Sequence, residues 1–363
     1  MDFKQISLSI SALRFPLIAA IVLIHTDMHN IIIGGVNYCP PGKYENFEII
    51  HHLLTNEFAR TAVPLFFLIS GILFFRTPDF NCSIYLSKLK SRIRSLFIPY
   101  IFWNLAVFGV QAISQWLFPS MLSGRNKLIT NFSSLDFLTM FWNHNHEGVP
   151  ICYQFWFIRD LIIVVILSPI IYWIIKKTPV IVAVIGVFWL LGIWPNAIGF
   201  GCVSIFFFSL GGWLGINKVK LYKLFGLDIR QTIIAIIIYT IVIAISTFCW
   251  KNGNTIPYNL LHKIGILIGM IASFNYVRYL TERIKFVPNY FLINSSFFIY
   301  GYHGITVALV MKTYAKLVPL NEGTIISGYF LCWIITIVLG LFLYSLLMKL
   351  FPKFGNLITG GRG

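Results

Sequence analysis

The sequence predicts an all-α polytopic membrane protein, on the evidence of its composition, its recurring apolar segments and its distribution of basic residues. Of the 363 residues, 58% are hydrophobic and 11% are charged, and the mean hydropathy is +0.80. A soluble globule of this size needs more polar surface than that. We therefore expect about ten transmembrane helices, with both termini in the cytoplasm.

Ten apolar segments are long enough to cross a hydrocarbon core of about 30 Å. In this arrangement eighteen of the 28 lysines and arginines fall on the side of the N-terminus, seven on the other side and three within spans. Because basic residues accumulate on the cytoplasmic side, this asymmetry favours an even number of helices and a cytoplasmic N-terminus. The predicted spans lie near residues 6–28, 59–75, 96–118, 154–175, 178–194, 199–216, 231–250, 256–277, 289–311 and 325–348.

The chain is predicted to be one integral-membrane domain, residues 1–363, with no separate soluble domain. No Pro- or Ser-rich linker and no long run of charge divides it. Its longest connectors, residues 29–58 and 119–153, both fall on the predicted outer side. Loops of that length usually carry function, so we expect a ligand to bind at the outer face.

The formal net charge of +16 is spread over short inner loops, which indicates topology rather than nucleic-acid binding. The densest basic cluster runs from Lys88 to Arg94 and includes Arg92. This cluster either anchors the chain to lipid headgroups or holds an anionic cofactor.

Arg14 and His25 are the only residues with formal or titratable charge in the first apolar segment, Ile6 to Thr26. A charged side chain in a bilayer core costs at least ~2.5 kcal/mol, so an arginine kept there is a functional candidate. At about 100° and 1.5 Å per residue, their eleven-residue offset places both within roughly 20° of one helix face and about 16 Å apart along the axis.

Two further spans carry polar groups among apolar residues. In the second, Val-Pro-Leu-Phe-Phe-Leu-Ile-Ser-Gly contains Ser70 and Gly71, a small pair that either contributes to a site or permits close helix packing. Trp156-Phe-Ile-Arg-Asp-Leu opens the fourth span. Its Arg159 and Asp160 diverge by about 100° on a helix, and they are either interfacial anchors or site residues.

The ninth span contains Phe298-Ile-Tyr-Gly-Tyr-His, which places Tyr300 and His303 on one helix face. A buried histidine is often satisfied by a neighbour, but the adjacent serines, tyrosine and glycines make this face polar and narrow. His303 is therefore either a structural residue or a residue of the site.

These four motifs, in this order, give the chain its resemblance to a known family. Four features together resemble the membrane acyltransferase 3 family: Arg14 and His25 separated by ten residues, the Ser-Gly segment of the second span, the Arg-Asp segment of the fourth and the Tyr-Gly-Tyr-His segment of the ninth. The resemblance extends over nearly the whole chain. Each motif is weak by itself, and the specificity lies in their order and in the matching predicted topology.

The resemblance implies transfer of an acyl group, usually acetyl, from cytoplasmic acyl-coenzyme A to a hydroxyl of a surface polysaccharide, glycolipid or related acceptor. Acetyl-coenzyme A is then a donor substrate, and no tightly bound cofactor is expected. The implied partners are acyl-CoA, a glycan or glycolipid and the lipid bilayer of the bacterial inner membrane. No nucleic acid is expected, and a homo-oligomer is left open.

The predicted roles suit this chemistry. An alcohol that attacks a thioester needs a base, and imidazole, with an ordinary pKa near ~6.5, suits neutral pH, so His25 is the predicted base. Arg14 binds the donor or steadies the oxyanion, unless it is only a structural ion partner. Arg92 and Arg94 are predicted to help hold the donor. The predicted supporting or substrate-binding residues are Asp27, Ser70, Trp156, Arg159, Asp160, Tyr300 and His303.

No metal site is predicted. His25 and His29 share a helix face at i and i+4, but the sequence offers no compelling third ligand, and His144 and His146 are typical of a solvated loop. Asp27 is expected to orient an imidazole or cap the helix end. The competing functions are a transporter or flippase, in which the charged groups would line a polar pathway, and a receptor that uses the long outer loops.

Overall fold

The computed structural model describes residues 3–77, 80–119 and 127–361. Arg125 and Arg362, which enter the charge count above, lie outside these residues. The described chain is nearly all helical, with one short antiparallel ribbon of β1 (Ile32–Ile33) and β2 (Val36–Asn37). Its helices are α1 (Phe3–His25), α2 (Glu45–His51), α3 (Ala62–Phe74), α4 (Cys82–Arg92), α5 (Ile98–Leu117), α6 (Ser134–Thr139), α7 (Trp156–Ile166), α8 (Ser168–Lys177), α9 (Val180–Leu191), α10 (Cys202–Ile216), α11 (Lys218–Leu224), α12 (Ile229–Lys251), α13 (Thr255–Glu282), α14 (Tyr290–Leu317), α15 (Glu322–Leu350) and α16 (Pro352–Ile358).

Among the described residues, six helical segments are long and apolar enough to cross a membrane, and a bent pair makes up to seven. The bent pair is Tyr153–Ile166 with Ser168–Lys177, which meet at 64°. Pro169 at the start of α8 explains the break, since proline cannot donate the helical hydrogen bond to the preceding turn. The six straight segments are Lys4–His25, Glu45–Phe74, Cys82–Leu117, Ile229–Lys251, Thr255–Glu282 and Glu322–Leu350.

Two helical segments begin well before the predicted spans. The second runs from Glu45 rather than residue 59, through a π-helical turn at His52–Phe58. The third runs from Cys82 rather than residue 96, with a second π-helical turn at Ile93–Phe97. The basic cluster that the sequence placed in a loop therefore lies on helix, because lysine, arginine and leucine are good helix formers. Polar residues interrupt the apolar pattern at the start of both segments, so that pattern did not predict helix there.

Contacts divide the chain into two compact units. The first unit comprises Met1–Ile21, His52–Arg92 and Asp160–Ile293, and the second comprises Val22–His51, Ile93–Arg159 and Asn294–Gly363. The division falls within α1, after Ile21. Arg14 thus belongs to the first unit and His25 to the second.

In the first unit, α3 and α10 pack backbone to backbone through glycines. A Cβ added at Gly71 would lie 2.1 Å from the carbonyl oxygen of Phe208, and one added at Gly211 would lie 2.0 Å from that of Leu68. No residue with a side chain fits at either position without a backbone shift. The Ser70-Gly71 pair of the second span therefore marks a close helix contact.

The first unit also buries a carboxylate that the sequence analysis did not single out. Glu57, 2% exposed, accepts a hydrogen bond from Ser246 Oγ at 2.8 Å. Its carboxylate also lies 3.3 Å from His262 Nδ1 and 3.6 Å from His52 Nε2. These contacts give the buried charge hydrogen-bonding partners on α12 and α13, as a carboxylate in apolar surroundings requires.

Candidate active site

His25 ends α1 and packs against two aromatic side chains of the second unit. Its ring centroid is 4.9 Å from that of Tyr153, in an edge-to-face arrangement, and 5.3 Å from that of His303. His25 is half-buried. The structure therefore brings together the histidines that the sequence selected in the first and ninth spans. Tyr153, which lies in a 3-10 turn just before α7, was not among the predicted residues.

His303 is fully buried on α14, and its surroundings fix its tautomer. Its Nδ1 lies 3.1 Å from the carbonyl oxygen of Ile299. A carbonyl oxygen can only accept, so Nδ1 carries the hydrogen. Within the described part of the chain, the buried Nε2 makes no hydrogen bond. His303 is therefore neutral with an unprotonated Nε2, in a ring whose centroid lies 5.3 Å from that of His25.

Two reciprocal hydrogen bonds attach the turn containing Tyr153 to α14. Tyr300 Oη donates to the carbonyl oxygen of Gln154 at 2.5 Å, and Gln154 Nε2 donates to the carbonyl oxygen of Gly301 at 3.1 Å. A Cβ at Gly304 would lie 2.4 Å from Gln154 Oε1, so only glycine leaves room for this side chain. Tyr300 thus acts on the site by positioning the turn that contacts His25.

A cavity of about 340 Å³ lies in the second unit beside this turn. Two amide oxygens at the cavity, Gln111 Oε1 and Gln154 Oε1, are buried without a hydrogen-bond partner among the described residues. Buried acceptors without partners are uncommon, and they suit a ligand that brings hydroxyl groups. The cavity is lined by Val107, Val110, Gln111, Ser114, Gln115, Leu128, Ile151, Cys152, Tyr153, Gln154, Gly304, Ile305, Ala308 and Lys312.

Asp27 follows α1 and contacts two imidazoles of the second unit. Its Oδ1 is 2.6 Å from His29 Nδ1 and 3.6 Å from His51 Nε2. Desolvation opposes the charge on Asp27, but the hydrogen bond from His29 and the nearby His51 hold its pKa below the ordinary value. The sequence offered no third metal ligand near His29. The fold supplies His51, which is distant in sequence, so these three residues form a set that could hold a metal ion.

Arg159 and Asp160, adjacent in sequence, make different contacts, as their predicted divergence on a helix requires. Arg159, 5% exposed, donates from Nη1 to the carbonyl oxygens of Trp142 at 2.6 Å and Gly148 at 2.9 Å, and so closes a turn of the long connector. Asp160 lies near Gly201, just before α10: a Cβ added at Gly201 would be 3.1 Å from Asp160 Oδ2. A carboxylate is favourable at a helix N-terminus.

Four predicted residues remain: Trp156, Ser70, Arg92 and Arg94. Trp156 begins α7 and is half-buried, and Ser70 is half-buried on α3. Arg92 ends α4, and Arg94 follows it in the π-helical turn with an exposed side chain. Their place in donor binding stays a prediction.

A basic groove in the first unit was not predicted. It has a volume of about 870 Å³ and is lined by residues from the start of α1 together with three cations, Lys4, Arg76 and Lys218. These side chains come from three separate segments, so no sequence run pointed to them. Ser11, which also lines the groove, lies three residues before Arg14 on α1.

The helical spans and the family match define the class of the protein. The described chain is that of an integral, multi-pass α-helical membrane protein. The sequence profile of the acyltransferase 3 family, described as an acyltransferase domain, matches residues 7–351. The chain therefore belongs to this family and is an acyltransferase.

One curated relative supports the same assignment. The chain is 23% identical over 284 residues to the succinoglycan biosynthesis protein ExoH of Rhizobium meliloti (strain 1021), a match that covers 74% of this chain and 70% of that protein. No solved structure matches the chain.

Proposed function

We propose that the protein is an O-acyltransferase that moves an acetyl or similar short acyl group from acyl-CoA to a hydroxyl of a cell-surface sugar, polysaccharide or glycolipid. The observation that carries the proposal is the pair of imidazoles, His25 and His303, joined by Tyr153 to a cavity with two unpartnered amide oxygens. The order of the motifs is similar to that in the enterobacterial common antigen O-acetyltransferase. The relative named for succinoglycan biosynthesis also favours a polysaccharide acceptor.

We place the chain in the bacterial inner membrane with ten crossings and both termini in the cytoplasm. The basic residues favour this orientation. Ten crossings require α9 and α10, of 12 and 15 residues, to span although they rise only about 18 and 22 Å. Local thinning of the bilayer and the flanking residues accommodate such short helices.

The cavity is the proposed acceptor site. The side chains that line it come from the last part of α5, the segment before α7 and the middle of α14, which lie towards the outer side in this topology. Sugar hydroxyls donate hydrogen bonds, and Gln111 Oε1 and Gln154 Oε1 are acceptors that need donors. Tyr153 both lines the cavity and contacts His25, so a sugar held there has a short path to the proposed base.

The basic groove is the proposed entry site for the donor. Coenzyme A carries several phosphate charges, and Lys4, Arg76 and Lys218 supply cations in a groove large enough for part of it. Arg92 and Arg94 are proposed to add to this attraction. Arg14, further along α1, would then contact the pantetheine arm.

In the proposed reaction His25 removes the proton from the acceptor hydroxyl as its oxygen attacks the thioester carbonyl. A C–O bond forms and the carbonyl becomes a tetrahedral oxyanion. Arg14 lies eleven residues before His25, about 16 Å along the helix axis, so its proposed role is to hold the donor rather than to contact this oxyanion. The C–S bond then breaks, and coenzyme A leaves with the proton that His25 received. No acyl-enzyme is required, and neither Ser70 nor another nucleophile takes part.

The test is the turnover of acetyl-CoA by the purified protein with a membrane glycolipid extract. We expect the wild type to transfer acetyl and His25→Ala to lose about 10²–10⁴-fold in rate, the usual contribution of a general base. His146→Asn is the matched control, because it removes an exposed loop imidazole, and asparagine tolerates the positive φ of 62° there.

Two results would count against this assignment. Equal activity of the wild type and His25→Ala would remove His25 from the site. Absence of both turnover and donor binding in the wild type would favour the transporter. Unchanged thermal stability of His25→Ala is needed to exclude misfolding as the cause of a loss.

A further inference from the structure

Asp27, His29 and His51 form a compact set of metal-ligand side chains in the second unit. One ligand atom from each lies within 4.8 Å of the other two. Two imidazoles and a carboxylate, with one position left open, are a common ligand set for Zn²⁺ in proteins. We propose that these three residues bind a divalent transition-metal ion, for which Zn²⁺ is the best match.

The observed distances fit such an ion with small side-chain rotations. A tetrahedral Zn²⁺ with bonds of about 2.0–2.2 Å holds its ligand atoms roughly 3.4 Å apart. The separation of Asp27 Oδ1 from His51 Nε2 is 3.6 Å, and from His29 Nδ1 it is 2.6 Å. An ion would therefore widen the closer pair by less than about 1 Å and draw the imidazoles slightly together.

The backbone around the three residues is held in place without the ion. On one side, the β1–β2 ribbon is closed by hydrogen bonds from Asn30 N to Cys39 O at 2.8 Å and from Tyr38 N to Ile31 O at 3.0 Å. This ribbon directly follows His29. A metal site needs ligands that are fixed before the ion arrives, and the ribbon limits the movement of the Asp27–His29 segment.

On the other side, α2 is tied to the start of α15. Phe47 N donates to Glu322 Oε1 at 2.8 Å, and Tyr44 Oη donates to the carbonyl oxygen of Leu320 at 2.8 Å. His51, the last residue of α2, is thereby held on a fixed element. Its ring also packs at 5.6 Å from that of the buried Tyr329.

Exposure at the site leaves room for a fourth ligand. The side chain of Asp27 is 51% exposed, whereas those of His29 and His51 are 16% and 8% exposed. The fourth coordination position therefore lies on the exposed side of the site, next to the Asp27 carboxylate. A water molecule or an oxygen of a ligand fills it. An ion bound here also links the two ends of the segment of residues 27–51, which stabilises the folded conformation of that loop.

Metal content of the purified full-length protein tests the inference without using its acyl transfer. After treatment with EDTA and titration with Zn²⁺ alone, we expect about one ion per chain. His29→Ala and His51→Ala should weaken Zn²⁺ binding by more than about 100-fold, because even residues that only hydrogen-bond a metal ligand contribute about 10–100-fold. His146→Asn should bind like the wild type.

Replacement by Co²⁺ gives a second readout, since a four-coordinate ion absorbs strongly in the visible range. Equal Zn²⁺ binding by the wild type and His51→Ala, or none by the wild type, overturns the inference. Should His51→Ala fail to fold, Asp27→Asn replaces it, because the amide keeps a hydrogen-bond acceptor for His29 and loses the anionic ligand. Neither outcome depends on the proposed acetyl transfer.

Discussion

The carbonyl oxygen of Ile299 determines which ring nitrogen of His303 carries a proton in the candidate site. It obliges His303 to donate from Nδ1, so a second proton on Nε2 would make His303 cationic in a fully buried position. Two cationic imidazoles with centroids 5.3 Å apart would repel each other. With His303 neutral, His25 is the ring that would become charged in the proposed transfer.

Gln111 offers a residue-scale test of the acceptor cavity. Gln111→Leu conserves most of the volume and removes a buried acceptor that has no partner among the described residues. We expect the acceptor KM to rise about 5–10-fold, the value of one hydrogen bond. The acetyl-CoA KM should stay unchanged, and the thermal stability should be equal or higher.

The acceptor KM, the acetyl-CoA KM and the thermal stability of Gln111→Leu together distinguish a binding role of Gln111 from a structural one. A fall in stability together with a rise in both KM values would show that Gln111 supports the fold. An unchanged acceptor KM would remove the cavity from acceptor binding.

The sequence predicted only those site residues that are conspicuous in apolar surroundings. His25 and His303 stood out because they are ionisable groups in spans, and Tyr300 because it shares a face with His303. Gln111 and Gln154 are neutral and carry no such signal. His51 is far from Asp27 in sequence, and only the packing of α2 brings it near.

At the scale of elements, the contact of α3 with α10 depends on two glycines, because a residue without a side chain lets the two backbones approach closely. Gly211→Ala would place a methyl group 2.0 Å from the carbonyl oxygen of Leu68. Because the backbone fixes the position of the Cβ and the oxygen is itself a backbone atom, a helix must move, and we expect the free energy of unfolding to fall by about 1–3 kcal/mol. Thermal unfolding in detergent measures it.

Gly109→Ala on α5 is the matched control for that substitution. A Cβ at this position meets no atom within 4 Å, and alanine stabilises a helix interior by roughly 0.5–1 kcal/mol over glycine. The two variants should therefore shift the unfolding temperature in opposite directions. Equal shifts would contradict the close-packing interpretation.

Each of the ten predicted segments overlaps a helix, because long apolar runs are the strongest signal in such a sequence. The boundaries were less predictable. Residues 45–58 and 82–95 are helical despite their charges. Tertiary contacts such as the hydrogen bond from Ser246 to Glu57 stabilise helix that the apolar pattern does not predict. The break between α7 and α8 follows from Pro169 but was not predicted as a bend.

At the scale of the whole molecule, the orientation in the membrane can be tested with a native cysteine. Cys82 is exposed at the start of α4, on the cytoplasmic side of the proposed topology. A membrane-impermeant maleimide should label it only after the cells are permeabilised. Burial raises the pKa of Cys39 to about 11, so its neutral thiol should react slowly from either side.

Val36→Cys in a Cys82→Ser background is the complementary variant. Val36 is 60% exposed on the β1–β2 ribbon, which the topology places outside, so labelling should occur in intact cells. Labelling of Cys82 in intact cells, with none of Val36→Cys, would invert the proposed orientation.

The turn closed by Arg159 gives the connector before α7 a fixed shape. Arg159 holds the carbonyl oxygens of Trp142 and Gly148, and the peptide N–H of His144 donates to Val149 O at 2.7 Å. His146 and Glu147 are exposed at its tip. If this tip faces the cell exterior, it is a conformational epitope: a linear peptide of residues 142–149 lacks the guanidinium that closes the turn and would have to be ordered on binding. An antibody against the native turn should therefore discriminate folded protein from its fragments.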